Sequence, residues 1–449
     1  MVEHVFTGFG FGPIQGGLFA KEAFESGNFA RIVVAEIDAE LVGAVRANNG
    51  SYYVNVARPD GIEALKIDDV ELLDPNVQAD RQILQKVLAK STEIVTCLPS
   101  VSFYDAGGAN SIVSLIAGGL KNSEAGATII YSAENNNHAA EILEKAVGHE
   151  LTRMDTNSER EKFVKLRGKE FHVQFLNTVI GKMSRVVSDP DEIAQLKLET
   201  IVPGFDRAFL VEQFNRILVS RTRISGFTPG IECFIEKDDL LAFEEAKLYG
   251  HNAIHSLLGF VGAVKGYTSM TELANDKAVM QVGRDAFLQE SGAALIEKYA
   301  PLDDELFTEG GFKDYAEDLL ERMTNPYLGD TIVRVVRDVR RKLRIDGRIF
   351  GTMRLALEHG IEPKNMALGA LAGIAELLKK ADENSLPEDL RFGDWRTLDK
   401  VKIERLTNWL WNGQTSKYTQ QIVDYVQKTL KTCVGCRSAG CEKFGRSTG

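Results

Sequence analysis

Short apolar, β-branched runs alternate with helical patterns through the first half of the chain. HVFTGFG (4–10), ARIVVAEID (30–38), TEIVTCL (92–98) and ATIIYSAEN (127–135) are bounded by Gly, Pro or Asn and read as buried strands. KEAFESG, AELVGAVRANN and ANSIVSLIAGGLKN between them read as helices, with more helical pattern at 80–91 and 138–149. Such a βαβ series predicts a parallel, doubly wound α/β sheet. From about Pro203 the pattern changes to long helices, such as KDDLLAFEEAKLYGHNAIHSLLGFVGAVKG and TIVRVVRDVRRKL, with few strand candidates. The expected organisation is an α/β domain over 1–202, a mainly α-helical domain over 203–385, and a helical extension over 386–449 ending in a Cys-containing tail.

Gly8, Gly10 and Gly12 follow the first strand, and Gly16 and Gly17 open the next helix. Glycines placed so let the backbone bend tightly and approach a pyrophosphate, which then sits at the positive end of a helix. In the frame Gly10-x-Gly12, Pro13 and Ile14 follow and Gln15 stands where a third glycine belongs, so the fingerprint is imperfect. A glycine turn that binds nothing fits an imperfect fingerprint as well. Position favours the nucleotide: the turn lies in the first βα unit, and Glu36 ends the second strand 26 residues after Gly10. A carboxylate there accepts from ribose hydroxyls and repels a 2′-phosphate, so a Rossmann-type domain for NAD rather than NADP is expected, with Gly10, Gly12, Pro13, Ile14, Gln15 and Glu36 at the cofactor. Asp38 is a rival for the acidic role, and either residue is also a fair cap for AELVGAV.

Composition narrows the function classes. The chain has 449 residues, 44% apolar and 26% charged, with 53 Lys+Arg against 64 Asp+Glu for a net charge of −11. That excludes disorder as the main theme and argues against coating nucleic acid or anionic membrane. The glycine-broken start MVEHVFTGFGFGPIQGG lacks a signal-peptide pattern, and 107–120 is too short and polar to span a bilayer. The five cysteines read as reduced thiols, and the cytoplasm is the expected address.

Residues 246–264 are the most informative segment. No formally charged side chain lies between Lys247 and Lys265 when histidines are neutral, so the helix is expected to be buried. At about 100° per residue, Lys247, His251, His255 and Asn252 fall at about 0°, 40°, 80° and 140°, one polar arc with Gly259 and Gly262 on the same side. A solvated face would be rich in Glu and Lys, whereas this one carries one ammonium, two imidazoles, an amide and small residues that leave room. The alternative is a helix end with a snorkelling Lys247 and satisfied core histidines.

Lys247, Asn252 and His255 match the K-x4-N-x2-H signature of the zinc-independent, polyol-specific long-chain dehydrogenases, and the chain resembles that family in further blocks. SAENNN (132–137) is similar to its acidic-Asn turn, and NPYLGDTIVRVVRDVRRKL with RLALEHGIEPKN (354–365) is similar to its C-terminal domain, so the resemblance covers roughly 4–375. It implies an NAD-linked oxidation of a secondary alcohol without metal, with Lys247 as general base, Asn252 and Asn135 bonding the developing alkoxide, and His255 orienting the substrate hydroxyl. A charge-free helix supplies the burial a lysine needs to act as base near neutral pH. No Cys, His and carboxylate cluster at zinc spacing lies nearby.

The expected reaction interconverts D-mannitol 1-phosphate and D-fructose 6-phosphate in a monomer or homodimer that engages neither nucleic acid nor membrane. Where the family has an Asp before the Arg of GKMSRVV, this chain has Ser184 before Arg185, which keeps open an unphosphorylated polyol or hexonate substrate. A scaffold that binds NAD without turnover is the reading from another class. Lys182 adds a cation, although a lysine there is commonly exposed. Arg334 and Arg341 lie seven apart, hence on one face of the basic helix with Lys342, and can fork onto a phosphate; a solvated face paired with Asp330 and Asp338 is the competing reading. Cys433, Cys436 and Cys441 lack an obvious fourth metal ligand and read as a flexible, redox-sensitive tail.

Overall fold

The apolar runs of the first half lie side by side as strands in a computed structural model that describes residues 4–153, 172–214 and 216–435. The chain divides into two units, Met1–Leu241 and Ala242–Gly449. Among the described residues the first unit carries β1 (His4–Phe9), β2 (Phe29–Ala35), β3 (Tyr52–Arg58), β4 (Gly61–Ile67), β5 (Val70–Leu73), β6 (Glu93–Thr96), β7 (Ala127–Ser132), β8 (His172–Ile180), β9 (Ser184–Val187), β10 (Ala208–Glu212), β11 (Ile217–Ser220) and β12 (Phe234–Lys237).

Eight strands form one sheet in the order β12-β11-β8-β7-β6-β1-β2-β5. It is parallel from β5 across to β8, then turns antiparallel at β11, which β12 joins in parallel. Phe6 and Phe9, three residues apart on β1, enter opposite layers: Phe6 packs with Leu18, Phe19, Tyr52 and Phe209, and Phe9 with Leu84, Leu115 and Ile116. Burial on both faces is why these strands read as continuous apolar runs. The Rossmann-type expectation holds for β1, β2, β6 and β7.

A second sheet of four strands, β4-β3-β10-β9, has no counterpart in the sequence reading. β3 and β4 are a hairpin turning through Arg58-Pro59-Asp60-Gly61, a turn signal the sequence does offer. The expected change to an all-α pattern at Pro203 is corrected. β10, β11 and β12 still belong to the first unit, because β10 inserts between β3 and β9 and β11 pairs with β8. Runs of four or five residues with distant partners leave no local mark.

The second unit is helical among its described residues. Its central helix, Asn252–Lys265, is buried nearly all round and closes at Gly266, whose φ of +83° only glycine adopts at low cost. It packs against the helix Lys364–Lys379, where a Cβ on Gly369 would stand 3.0 Å from Leu257 Cγ. Gly259 and Gly262 do not leave room for a ligand, contrary to expectation. A Cβ on Gly259 would lie 2.3 Å from Val335 Cγ1, and one on Gly262 2.9 Å from Ile332 Cδ1, so both admit the helix Ile332–Val335.

The basic stretch is not one helix either. Asp338, at φ +55°, separates Ile332–Val335 from Val339–Lys342, so Arg334 and Arg341 do not share a helical face. The extension continues the unit: the helices Lys400–Leu410 and Thr419–Gly435 bury Ile403, Leu406, Leu410, Ile422, Val426 and Leu430. Cys433 lies in the last helix, while Cys436 and Cys441 fall outside the described residues. Among the described residues no helix is long and apolar enough to cross a membrane.

The Gly259 contact yields a direct test. Gly259→Ala forces a methyl against Val335 and is expected to destabilise the second unit by about 1–3 kcal/mol in denaturant unfolding. Unchanged stability would show that Ile332–Val335 retreats freely.

Candidate active site

The glycine turn is built by close approach. Gly10, at φ +81°, donates its N–H to Ala35 O at 2.8 Å, and a Cβ there would lie 2.8 Å from Cys97 O. The chain is helical from Pro13, with a π turn at Gln15–Phe19. Gly8 rather than Gly12 makes room for protein: a Cβ on Gly8 would lie 2.3 Å from Gln15 Nε2, whereas one on Gly12 would meet nothing within 4 Å. Gly10 makes the tight turn and Gly12 leaves open space beside it, while Gly8 admits the Gln15 side chain in place of a third glycine. The Gln15 side chain is fully buried beneath the turn, with neither amide atom hydrogen-bonded. Ile14 and Pro13 lie half-buried at the helix start.

Glu36 holds this turn from the next strand. Its Oε2 accepts from Phe11 N at 2.5 Å, and its Oε1 accepts from Ile37 N at 2.7 Å and Asp38 N at 2.9 Å. A carboxylate has about four acceptor positions, so room remains for one hydroxyl donor. Asp38 takes the capping role: it accepts from Leu41 N at 3.1 Å and pairs with Arg207 at 2.8 Å.

Asn135 is exposed in the turn after β7. Its neighbour Glu134, which the sequence reading missed, is buried and accepts from Leu98 N at 3.0 Å, Thr96 Oγ1 at 2.9 Å and Tyr104 OH at 2.5 Å. Burial raises the Glu134 pKa against the opposing pull of these donors. Arg185, on β9, is engaged by Glu192 through two bonds of 2.7 and 2.9 Å. Lys182 is buried rather than exposed; it donates to Phe214 O at 2.9 Å, and burial followed by repulsion from Lys21 lowers its pKa to about 8.

In the second unit, Lys247 lies in a π turn, Ala246–His251, that runs into the central helix. The turn closes with the Asn252 N–H on Lys247 O, five residues back, which alters the spacing of the arc relative to uniform α geometry. Burial, then repulsion from Arg348, lowers the Lys247 pKa to about 8 despite the pull of Glu244. His251 is buried, and burial with the nearby His255 keeps its pKa far below the usual value, so it is neutral.

His255 Nε2 lies 3.0 Å from Asp330 Oδ2, at ion-pair distance but off hydrogen-bond alignment, and neither atom has another partner. Asp330 Oδ1 accepts from Arg334 Nε at 2.7 Å. Burial would raise the Asp330 pKa, but His255 and Arg334 outweigh it and hold it at about 2. Arg334 therefore buttresses the imidazole. Arg341 is exposed and pairs with Asp338 at 3.3 Å.

Arg348, a cation not singled out from the sequence, acts on the arc directly, and it repels Lys342 in turn. Arg348, half-buried, donates from Nη1 to Ser256 Oγ at 3.2 Å, and Ser256 Oγ donates to Asn252 O at 2.8 Å. Burial and then Arg341 lower the Arg348 pKa to about 10. Lys342 is buried, donates to Arg337 O, and is lowered to about 7 by burial, Arg348 and Arg341. Among the described residues no carboxylate pairs with Lys247, Lys342 or Arg348. Such a set is suited to an anion, and a neutral amine beside it to proton transfer. Sequence alone hid Arg348, because an Arg in RIDGRIF carries no periodic signal.

Residues 239–431 match the mannitol dehydrogenase C-terminal domain. Mannitol-1-phosphate 5-dehydrogenases of Buchnera aphidicola subsp. Acyrthosiphon pisum, strains Tuc7 and APS, are each 25% identical over 369 residues, 81% of this chain and 84% of theirs. Two solved structures share the fold. A substrate-free D-sorbitol dehydrogenase has a TM-score of 0.75 at 15% identity, covering 96% of this chain and 95% of its own. Pseudomonas fluorescens mannitol 2-dehydrogenase, a ternary complex with NAD and D-mannitol, has 0.66 at 17%, covering 97% and 94%.

Lys247 leaves a stability signature. Its pKa falls from 10.5 unfolded to about 8 folded, so the unfolded state binds more protons between those values and stability rises with pH across that window. Below about pH 8 the penalty is full. Lys247→Met is therefore expected to stabilise the second unit by about 1–2 kcal/mol at pH 7, a gain that fades by about pH 10.5. Chemical denaturation at both pH values checks this, and a destabilised variant at pH 7 would refute it.

Proposed function

We propose that this chain, a member of the mannitol dehydrogenase family, interconverts D-mannitol 1-phosphate and D-fructose 6-phosphate with NAD(H), using Lys247 as general base. The observation that carries the proposal is a depressed Lys247 on the same unit as two cations, Lys342 and Arg348, which among the described residues have no carboxylate within ion-pair distance. The names of the Buchnera relatives support the phosphorylated substrate.

The first unit fits the dinucleotide. Gly12 has open space where a Cβ would stand, at the start of a helix, and Glu36 is fixed at the end of β2 with acceptor capacity left over. A bound NAD would supply the hydride acceptor for oxidation at the carbinol carbon.

The remaining chemistry belongs to side chains. Lys247, neutral above about pH 8, accepts the proton of the substrate hydroxyl during oxidation and returns it during reduction. The Asn252 amide donates to the oxygen as negative charge develops. His255, whose Nε2 is set 3.0 Å from the Asp330 carboxylate, orients the same hydroxyl. Arg348 and Lys342 receive the phosphate, and Arg341 draws it in from the surface.

Two measurements test this reading. Polyol oxidation is expected to rise with pH through about 8, and Lys247→Ala should lower kcat by about 10²–10⁴-fold while the dissociation constant for NADH stays nearly unchanged. A folded variant with near wild-type kcat would remove Lys247 from the role. Arg348→Ala should raise KM for fructose 6-phosphate about tenfold or more, well beyond its effect on fructose, with Arg341→Ala the milder of the two. Equal losses on both sugars would assign Arg348 to the fold or the sugar hydroxyls, and a wild type that prefers fructose would overturn the phosphate.

A further inference from the structure

Three like charges, on Arg341, Lys342 and Arg348, repel one another within a short stretch of backbone, a repulsion that Asp338, paired with Arg341, only partly offsets. Local bonds fold the stretch tightly: Ile349 N donates to Lys342 O at 3.2 Å, and a Cβ on Gly347 would lie 2.8 Å from both Arg341 O and Lys342 O. The C-terminal extension grips the stretch near both ends. The Arg340 guanidinium lies 4.3 Å over the Trp409 ring, and its Nη2 donates to Asn412 Oδ1 at 3.2 Å. Phe350 meets Trp411 edge to face, with ring centroids 5.2 Å apart, and Trp411 is buried. Trp409, Trp411 and Asn412 sit within one turn at the end of the helix Lys400–Leu410.

We propose that this aromatic turn braces the stretch from Arg340 to Phe350, so that Lys342 and Arg348 remain together as one phosphate-binding site. Trp409 and Trp411 are then positioning residues, and the extension is part of the binding apparatus rather than an appendage. The inference rests on the reading of Lys342 and Arg348 as an anion site. The cation–π contact takes up Arg340 and offers the site nothing directly; its effect is mechanical, holding one end of a self-repelling segment while Phe350 holds the other.

The test uses the full chain and inorganic phosphate, titrated by calorimetry into wild type, Trp409→Ala and Trp409→Phe. Trp409→Ala is expected to weaken phosphate binding by roughly three- to tenfold, and Trp409→Phe, which keeps a ring face for Arg340, by less than about twofold. Amide hydrogen exchange in Trp409→Ala should quicken across 339–351 while the helix Asn252–Lys265 keeps its protection. Wild-type affinity in Trp409→Ala overturns the brace, as does an equal loss in both variants or faster exchange spread through the whole second unit. Absence of phosphate binding by wild type removes the site and the brace together. The substrate proposal fails separately: a wild type that binds phosphate yet turns over only unphosphorylated sugar refutes that reading alone.

Discussion

Lys247 sits on a helix with no other formally charged side chain before Lys265, and the cost of charging an ammonium there governs the second unit. Burial and the Arg348 charge act in the same direction, so the folded protein holds its lysine closer to neutrality than the unfolded chain does. That is a stability penalty carried by the folded state. The surroundings follow from it: a neutral His251, a π turn joining Lys247 to Asn252, and an imidazole set against a buried carboxylate instead of water.

The same logic of fixed polar groups recurs in the first unit with opposite sign. Glu36 gathers three backbone N–H groups around the glycine turn, and Glu134 gathers three donors from the segment 96–104. Each carboxylate is an acceptor-only group that satisfies donors a loop would otherwise leave unpaired. The loops at the C-terminal ends of β6 and β7 are thereby tied to each other.

Asp330 links the imidazole and the cationic segment. One oxygen faces His255 and the other takes Arg334, so a residue that reads as a surface partner for arginines becomes the buried anchor of the histidine. Its charge offsets Arg334.

The sequence by itself determined the parallel βαβ series, the glycine turn beside Glu36, and the helix that starts at Asn252 with no charged side chain before Lys265. Each depends on local spacing: period two or a continuous apolar run for a buried strand, glycines beside a strand end, and a helix without charge. Tertiary structure decided what spacing does not encode. The strands β10 and β11 exist through the distant partners β3 and β8, and β12 adds onto β11. The break at Asp338 is a left-handed residue that no periodicity announces, and it parted Arg334 from Arg341. The burial of Gln15 under Gly8 and the filling of Gly259 by Val335 are close approaches between elements. The Arg348 and Lys342 pair arises because Gly347 lets two backbones touch. A one-dimensional pattern records which face of an element is apolar, whereas the neighbour that occupies that face is set by packing.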